Sequence, residues 1–184
     1  MKQILVLSGS PTSHSHTALV LQQISDLLIY RGCNVKRVSV RDVEPETICN
    51  ARFDDPQITS IVHDLQNADG IVIGSPVYKA SYTGVLKALL DLLPEDVFKG
   101  KPVLPIMVGG SSHHMLAIEF TLKPLLTSLK GELIQGVYLL DKHVDKASVS
   151  PVRDVEILQR IHKQIEQFIA EIDKNNSYVH VKSD

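Results

Sequence analysis

Three short stretches of this sequence carry side chains and backbone suited to gripping a small ligand. The first, Ser8–Thr17 (SGSPTSHSHT), is rich in hydroxyls and runs into a segment with helical spacing. The free N–H groups and partial positive charge at a helix start suit a phosphate. Ser10, Ser15 and Thr17 can each add a hydroxyl bond there, and His16 a further donor. The G-x-x-x-x-G-K-[ST] pattern of nucleoside triphosphate sites is absent, as is the G-x-G-x-x-G of dinucleotide sites. A hydroxyl-rich cradle without lysine suits a terminal phosphomonoester such as that of FMN, although an ordinary capping loop would read similarly. The second stretch, Pro76-Val77-Tyr78-Lys79, leaves the apolar run GIVIG. Its backbone could read the polar edge of a planar ring, and Tyr78 and Tyr82 offer aromatic surface or simply pack loop against helix. The third, Gly109-Gly110-Ser111-Ser112-His113-His114, lets backbone approach a ligand closely because glycine has no side chain. Adjacent histidines on a turn point apart, and no cysteine or carboxylate completes a metal site around His113 and His114. No nucleophile elbow or spaced acid pair points to hydrolysis. No side chain stands out as a catalytic acid or base.

The elements that must position these stretches alternate along the chain. Lys2–Leu7 is a β-favouring apolar run of the kind buried on both faces of a sheet. Thr17–Arg31 follows with Leu19, Val20, Ile24, Leu27 and Leu28 at helical spacing, ended by Gly32. Strands are then predicted over Val35–Val40, Gly70–Gly74, Pro102–Val108 and Glu132–Leu140. Helices are predicted over Ile58–Ala68, Thr83–Leu93, Met115–Lys130 and Asp154–Ile172, the last capped near Ser150 and Pro151. Pro105 cannot donate to a ladder, so a bulge or gap in pairing is expected beside it. Pro124 is expected to kink its helix. Lys87 and Asp91, four apart, read as a solvated surface pair. The segments 41–56 and 141–152 read as long excursions, and the tail 175–184 as polar and loosely ordered. Five strands separated by helices imply one α/β domain, 1–174, with a parallel sheet covered on both faces. In such a sheet ligands bind beyond the carboxyl ends of the strands, where strand order reverses. The three stretches leave strands one, three and four, so they converge on that place.

Composition excludes several function classes. Lys plus Arg (19) nearly balance Asp plus Glu (21), so no broad field recruits nucleic acid or an anionic membrane. Any bound anion must be held by local geometry. Two cysteines, Cys33 and Cys49, form no stapled framework and no C-x-x-C pair; Cys33 reads as packing. No run reaches the ~18 apolar residues of a membrane span, and the N-terminus lacks a signal-peptide pattern. These features predict a soluble, cytoplasmic protein.

With those motifs in hand, the sequence resembles the NAD(P)H-dependent FMN reductases of the flavodoxin-like superfamily, and among them the reductase components of two-component alkanesulfonate monooxygenase systems. The resemblance runs from Met1 to about Val137. It is carried by GSPTSHSHT, ARFDDP (Ala51–Pro56), ADGIVIGSPVYKASYTGVLKALLDLLP (Ala68–Pro94) and GGSSHHMLAIEFTLKPLL (Gly109–Leu126). It implies a flavodoxin-like doubly wound five-stranded parallel sheet of order 2-1-3-4-5. It also implies reduction of FMN by NADPH or NADH, with FMNH₂ passed to a flavin-dependent monooxygenase in sulfonate-sulfur utilisation, and a homodimer or homotetramer. By position, Ser10, Ser15, His16 and Thr17 would hold the phosphate. Pro76, Val77, Tyr78 and Lys79 would line the isoalloxazine, and Gly109, Gly110 and Ser111 would close the other side. Some relatives carry tyrosine where this chain has Phe120, which removes a phenolic donor; a core or interface role for Phe120 fits equally. Two other readings share these loops: a quinone or azo-compound reductase that retains FMN, and a non-enzymatic flavodoxin-type electron carrier. The carrier reading sits poorly with the near-neutral charge. No basic cluster marks a pocket for the 2′-phosphate of NADPH, and Arg41 and Arg52 are the cations placed at the sheet's edge to meet one.

Overall fold

The computed structural model describes residues 1–181. Its parallel sheet is built from β1 (Gln3–Ser8), β2 (Asn34–Ser39), β3 (Gly70–Pro76), β4 (Pro102–Gly109), β5 (Glu132–Leu133) and β6 (Val137–Leu140). The strand order is β2-β1-β3-β4-β5, with β6 also on β4, which is the flavodoxin-like doubly wound arrangement. The helices are α1 (His16–Tyr30), α2 (Pro45–Cys49), α3 (Pro56–Asn67), α4 (Gly84–Leu90), α5 (Lys123–Ser128) and α6 (Val155–Val181).

Alternation along the central strands divides two cores. Leu5 and Leu7 of β1, with Ile71 and Ile73 of β3, face a layer that includes Ile58, Leu65, Leu86 and Leu126 from α3, α4 and α5. Ile4, Val6 and Val72 face Val20, Ile24, Ile165 and Phe168 from α1 and α6. Each such side chain contributes about 1.5–3 kcal/mol of burial, so the sheet is held from both sides. No helix among the described residues is long and apolar enough to cross a membrane.

The ladder gap expected at Pro105 lies on the β5/β6 side. Pro105 pairs in register with Ile73 of β3. On its other flank, pairing stops at Val103↔Leu133 and resumes at Ile106↔Val137. The single expected strand 132–140 is therefore split in two. Gly136 bridges the break at φ +82°, and its N–H donates instead to Oε1 of buried Gln164 at 2.9 Å.

Other boundaries differ for local reasons. The expected helix 115–130 becomes a π-helical turn, Ile118–Leu122, leading into α5 with Pro124 in its first turn, where a missing N–H costs nothing. Asp154, rather than Ser150 or Pro151, caps α6 by accepting the Ile157 N–H at 3.1 Å. Helix α6 continues past Ile172 to Val181, so the expected polar tail is helical over 175–181 and otherwise lies outside the described residues. The excursion 141–152 is pinned by a Val144↔Val152 bridge and by Gln23 of α1, whose amide bonds the Val152 N–H at 2.8 Å and C=O at 3.1 Å. Cys33 is buried, and burial pushes its thiol pKa up.

Candidate functional site

The loops leaving β1, β3 and β4 meet at a cleft of about 240 Å³ at the carboxyl edge of the sheet. Larger concavities exist, among them an apolar groove of about 380 Å³ beside Phe53 and Leu92, which draws on none of these three loops.

The first wall is the start of α1. Ser15 sits in extended backbone as the N-cap, and its Oγ accepts the Ala18 N–H at 3.0 Å. That leaves the Ser15 hydroxyl proton and the first helix amides, those of His16 and Thr17, without partners inside the helix. Thr17 is 1% exposed, yet its Oγ1 has no hydrogen-bond partner among the described residues. A buried hydroxyl of this kind costs about 1–3 kcal/mol unless a ligand or water meets it. No acidic residue occupies the first turn of α1. Oriented amides, an orphaned hydroxyl and a first turn without an acid are features that suit an anion. They fit the phosphate of FMN.

The second wall is β3 and the turn beyond it. Tyr78 and Ser81 pair through two backbone hydrogen bonds, 2.8 and 3.1 Å, around a type I′ turn. Its central residues, Lys79 at φ +52° and Ala80 at φ +62°, hold a left-handed conformation that favours glycine. This strained turn leaves Tyr78 half-exposed at the cleft beside Pro76 and Val77, while Lys79 stands at the tip, away from the lining.

The third wall, Val108–Gly109–Gly110, is the end of β4. A side chain on Gly109 would collide with Tyr138 Oη and press on Val77 at 3.1 Å, so only glycine fits. The Tyr138 hydroxyl donates to the Ser111 carbonyl at 2.6 Å, which fixes the loop. Burial, with a smaller effect of Asp141, pushes the phenol pKa up and keeps that proton in place. Ser111 therefore supports the cleft from behind. Ser10 is likewise turned inward, its Oγ donating to the Thr12 carbonyl at 3.2 Å, and Thr12 lines the cleft in its stead.

A buried polar joint locks the first two walls together. Thr83 Oγ1 donates to the Gly9 carbonyl at 2.6 Å and accepts the Leu86 N–H at 3.2 Å, capping α4. The Thr83 N–H donates to Ser75 Oγ at 3.0 Å, and Gly9 N–H to the Gly74 carbonyl at 2.7 Å. Two further lining residues come from the excursion after β6. Asp141 Oδ1 lies 3.3 Å from His16 Nδ1, and Lys146 completes the rim. Sequence reasoning missed both: Asp141 is set beside Gly109 by the β4–β6 ladder, and Lys146 lies in the excursion that the Val144↔Val152 bridge and Gln23 pin. His113 and His114 belong to no metal-sized cluster among the described residues.

Comparison with known proteins agrees with this geometry. A sequence profile of NADPH-dependent FMN reductases matches residues 2–145. The chain belongs to that family. It is 40% identical over 168 residues to an FMN reductase (NADPH) of Pseudomonas putida KT2440, covering 90% of this chain and 85% of that one. It is 36% identical over 167 residues to an FMN reductase (NADPH) of Escherichia coli K12, covering 90% and 87%. Its structure is similar to the apo form of an NADH:FMN oxidoreductase, EmoB, with a TM-score of 0.82, 30% identity and coverage of 91% and 88%. Membership of the FMN reductase family makes the protein an oxidoreductase working with FMN and a reduced nicotinamide cofactor. The electron-carrier alternative is thereby set aside.

Proposed function

We propose that the cleft takes FMN with its phosphate at the start of α1, held by the hydroxyls of Ser15 and Thr17, the first helix amides and His16. The observation that carries this reading is the buried, unpartnered Thr17 Oγ1 at a helix N-terminus with no acid in its first turn. Pro76, Val77 and Tyr78 then line one side of the isoalloxazine, and Gly109 and Gly110 the other. Ser10, Lys79 and Ser111 act on the shape of the loops. Bound FMN supplies the acceptor for a hydride from the nicotinamide, and the chemistry belongs to the two cofactors. The chain's residues orient the rings, exclude water from one face and present backbone donors to the ring edge.

The reduced flavin is released to a separate flavin-dependent monooxygenase, as in the sulfonate-sulfur systems this sequence resembles. An open cleft and the Asp141 carboxylate beside the phosphate position support loose retention. The protein works as a homodimer or homotetramer, for which exposed Met115, Leu116 and Phe120 offer apolar surface.

Oxidation of NADPH by purified protein under air, with FMN titrated from zero, tests this reading. A rate that requires and saturates with added FMN supports it. A rate independent of added FMN favours a retained flavin and a quinone or azo acceptor, and no oxidation with either nicotinamide would overturn the reductase reading.

A further inference from the structure

On the far side of the β1–α1 loop from the flavin cleft lies a second pocket, of about 370 Å³, at the carboxyl edge of β1 and β2. The loop is their common wall, with Ser13 lining this pocket while Thr12 and Ser15 line the cleft. Its floor is apolar, from β1 and α1, and its rim carries Arg37, Ser39, Arg41 and Asp42. Arg31 and Arg52 face acidic partners, Glu166 at 3.4 Å and Glu46 at 3.7 Å. Arg37 and Arg41 join no ion pair among the described residues. Asp42 is tied into the backbone, accepting the Ser39 N–H at 2.8 Å, and against two guanidiniums it leaves the rim net positive. Charge on an edge strand often serves to block strand pairing. Lys36 suffices for that, and it is paired with Asp64 at 2.6 Å. Two unpaired guanidiniums rimming a concave apolar floor have a different use.

We infer that this pocket receives the 2′-phosphoadenosine end of NADPH, with Arg37 and Arg41 gripping the 2′-phosphate and thereby setting the preference for NADPH over NADH. The inference rests on the reductase reading above. A dinucleotide whose nicotinamide lies over the flavin must carry its adenosine out across a wall of the cleft, and beyond the β1–α1 loop lie Arg37 and Arg41. The apolar floor suits adenine, and guanidinium forks match a phosphomonoester's oxygens bidentately. Of the two cations expected at the sheet's edge, the structure keeps Arg41, pairs Arg52 with Glu46, and brings in Arg37 from β2.

The test pairs binding with kinetics. Calorimetry of the wild-type protein with 2′,5′-ADP and with 5′-AMP comes first, then with Arg37→Gln/Arg41→Gln. The expected result is 2′,5′-ADP binding that exceeds 5′-AMP binding, competes with NADPH, and weakens about 10- to 100-fold in the double variant. The ratio of kcat/KM for NADPH to that for NADH should fall by a similar factor, while Arg52→Ala leaves it unaltered. Equal binding of the two nucleotides by the wild type, an unchanged coenzyme ratio, or equal losses with NADPH and NADH would each overturn the assignment. The calorimetry needs no turnover, so failure of the reductase reading and failure of the arginine assignment are distinguishable.

Discussion

Two helix N-termini in this molecule are finished in opposite ways. Helix α3 begins with Asp55, whose carboxylate accepts the Gln57 N–H at 2.9 Å and the Thr47 hydroxyl at 2.7 Å. Pro56 removes one further donor from that first turn. These bonds, first the Gln57 amide and then Thr47, hold the Asp55 pKa below the ordinary carboxylate range. Helix α1 begins with a neutral hydroxyl cap, has no acid in its first turn and buries an unpartnered threonine. One helix brings its own anion and the other leaves the place open. A helix start becomes a binding site only when the chain declines to complete it, and at α1 the cost of leaving it incomplete is visible in Thr17.

The sharpest way to break that contrast is to give α1 the cap that α3 has. Ser15→Asp preserves N-cap chemistry, so thermal stability should hold or rise. The new carboxylate should nonetheless weaken FMN binding about 100-fold or more by repelling the phosphate. Riboflavin, which lacks that phosphate, should bind as before in a flavin-fluorescence titration. Equal losses for both ligands would mean a distorted cleft. Next in size is Thr17→Val, nearly isosteric, which should cost FMN about 10- to 100-fold in affinity by the same titration and riboflavin little.

Smaller effects test what surrounds the contrast. Ala80→Gly relaxes a left-handed residue in the turn that props Tyr78, and should raise stability by about 0.5–1 kcal/mol in urea denaturation. A loss of stability would show that the Ala80 methyl makes contacts worth more than the strain. Smallest is the pH dependence of Asp55→Ala. The native pKa of Asp55 is depressed, so its stabilisation is present above the unfolded-state value and lost as pH falls through the native one. The gap in melting temperature between wild type and variant should therefore be widest near neutrality and close in acid.

Much of this architecture was legible in the sequence because the signals were local. Continuous apolar runs marked β1, β3 and β4, and the hydroxyl-rich loop marked the open helix start. The convergence of three loops followed from strand order alone. What stayed hidden depends on partners distant in the chain. Asp141 reaches the cleft because β6 pairs with β4, and Lys146 lies in an excursion that Gln23 pins at Val152, 129 residues away, and no local pattern announces either. Ser10 looked like a ligand hydroxyl until the fold turned it toward the Thr12 carbonyl. Thr83 reads in the sequence only as the start of a helix and Ser75 carries no role of its own there, yet they lock two walls of the cleft together. Arg37 drew no notice in the sequence, and only the fold puts it on the same pocket rim as Arg41.

The central claim is that the unfinished start of α1 is where the flavin phosphate belongs, and a crystal structure of the protein with FMN tests it most directly. The account predicts phosphate oxygens within hydrogen-bond distance of Thr17 Oγ1 and the first amides of α1, with the rings between Tyr78 and Gly109. A phosphate seated elsewhere, such as between Arg37 and Arg41, with Thr17 still unpartnered, would contradict it.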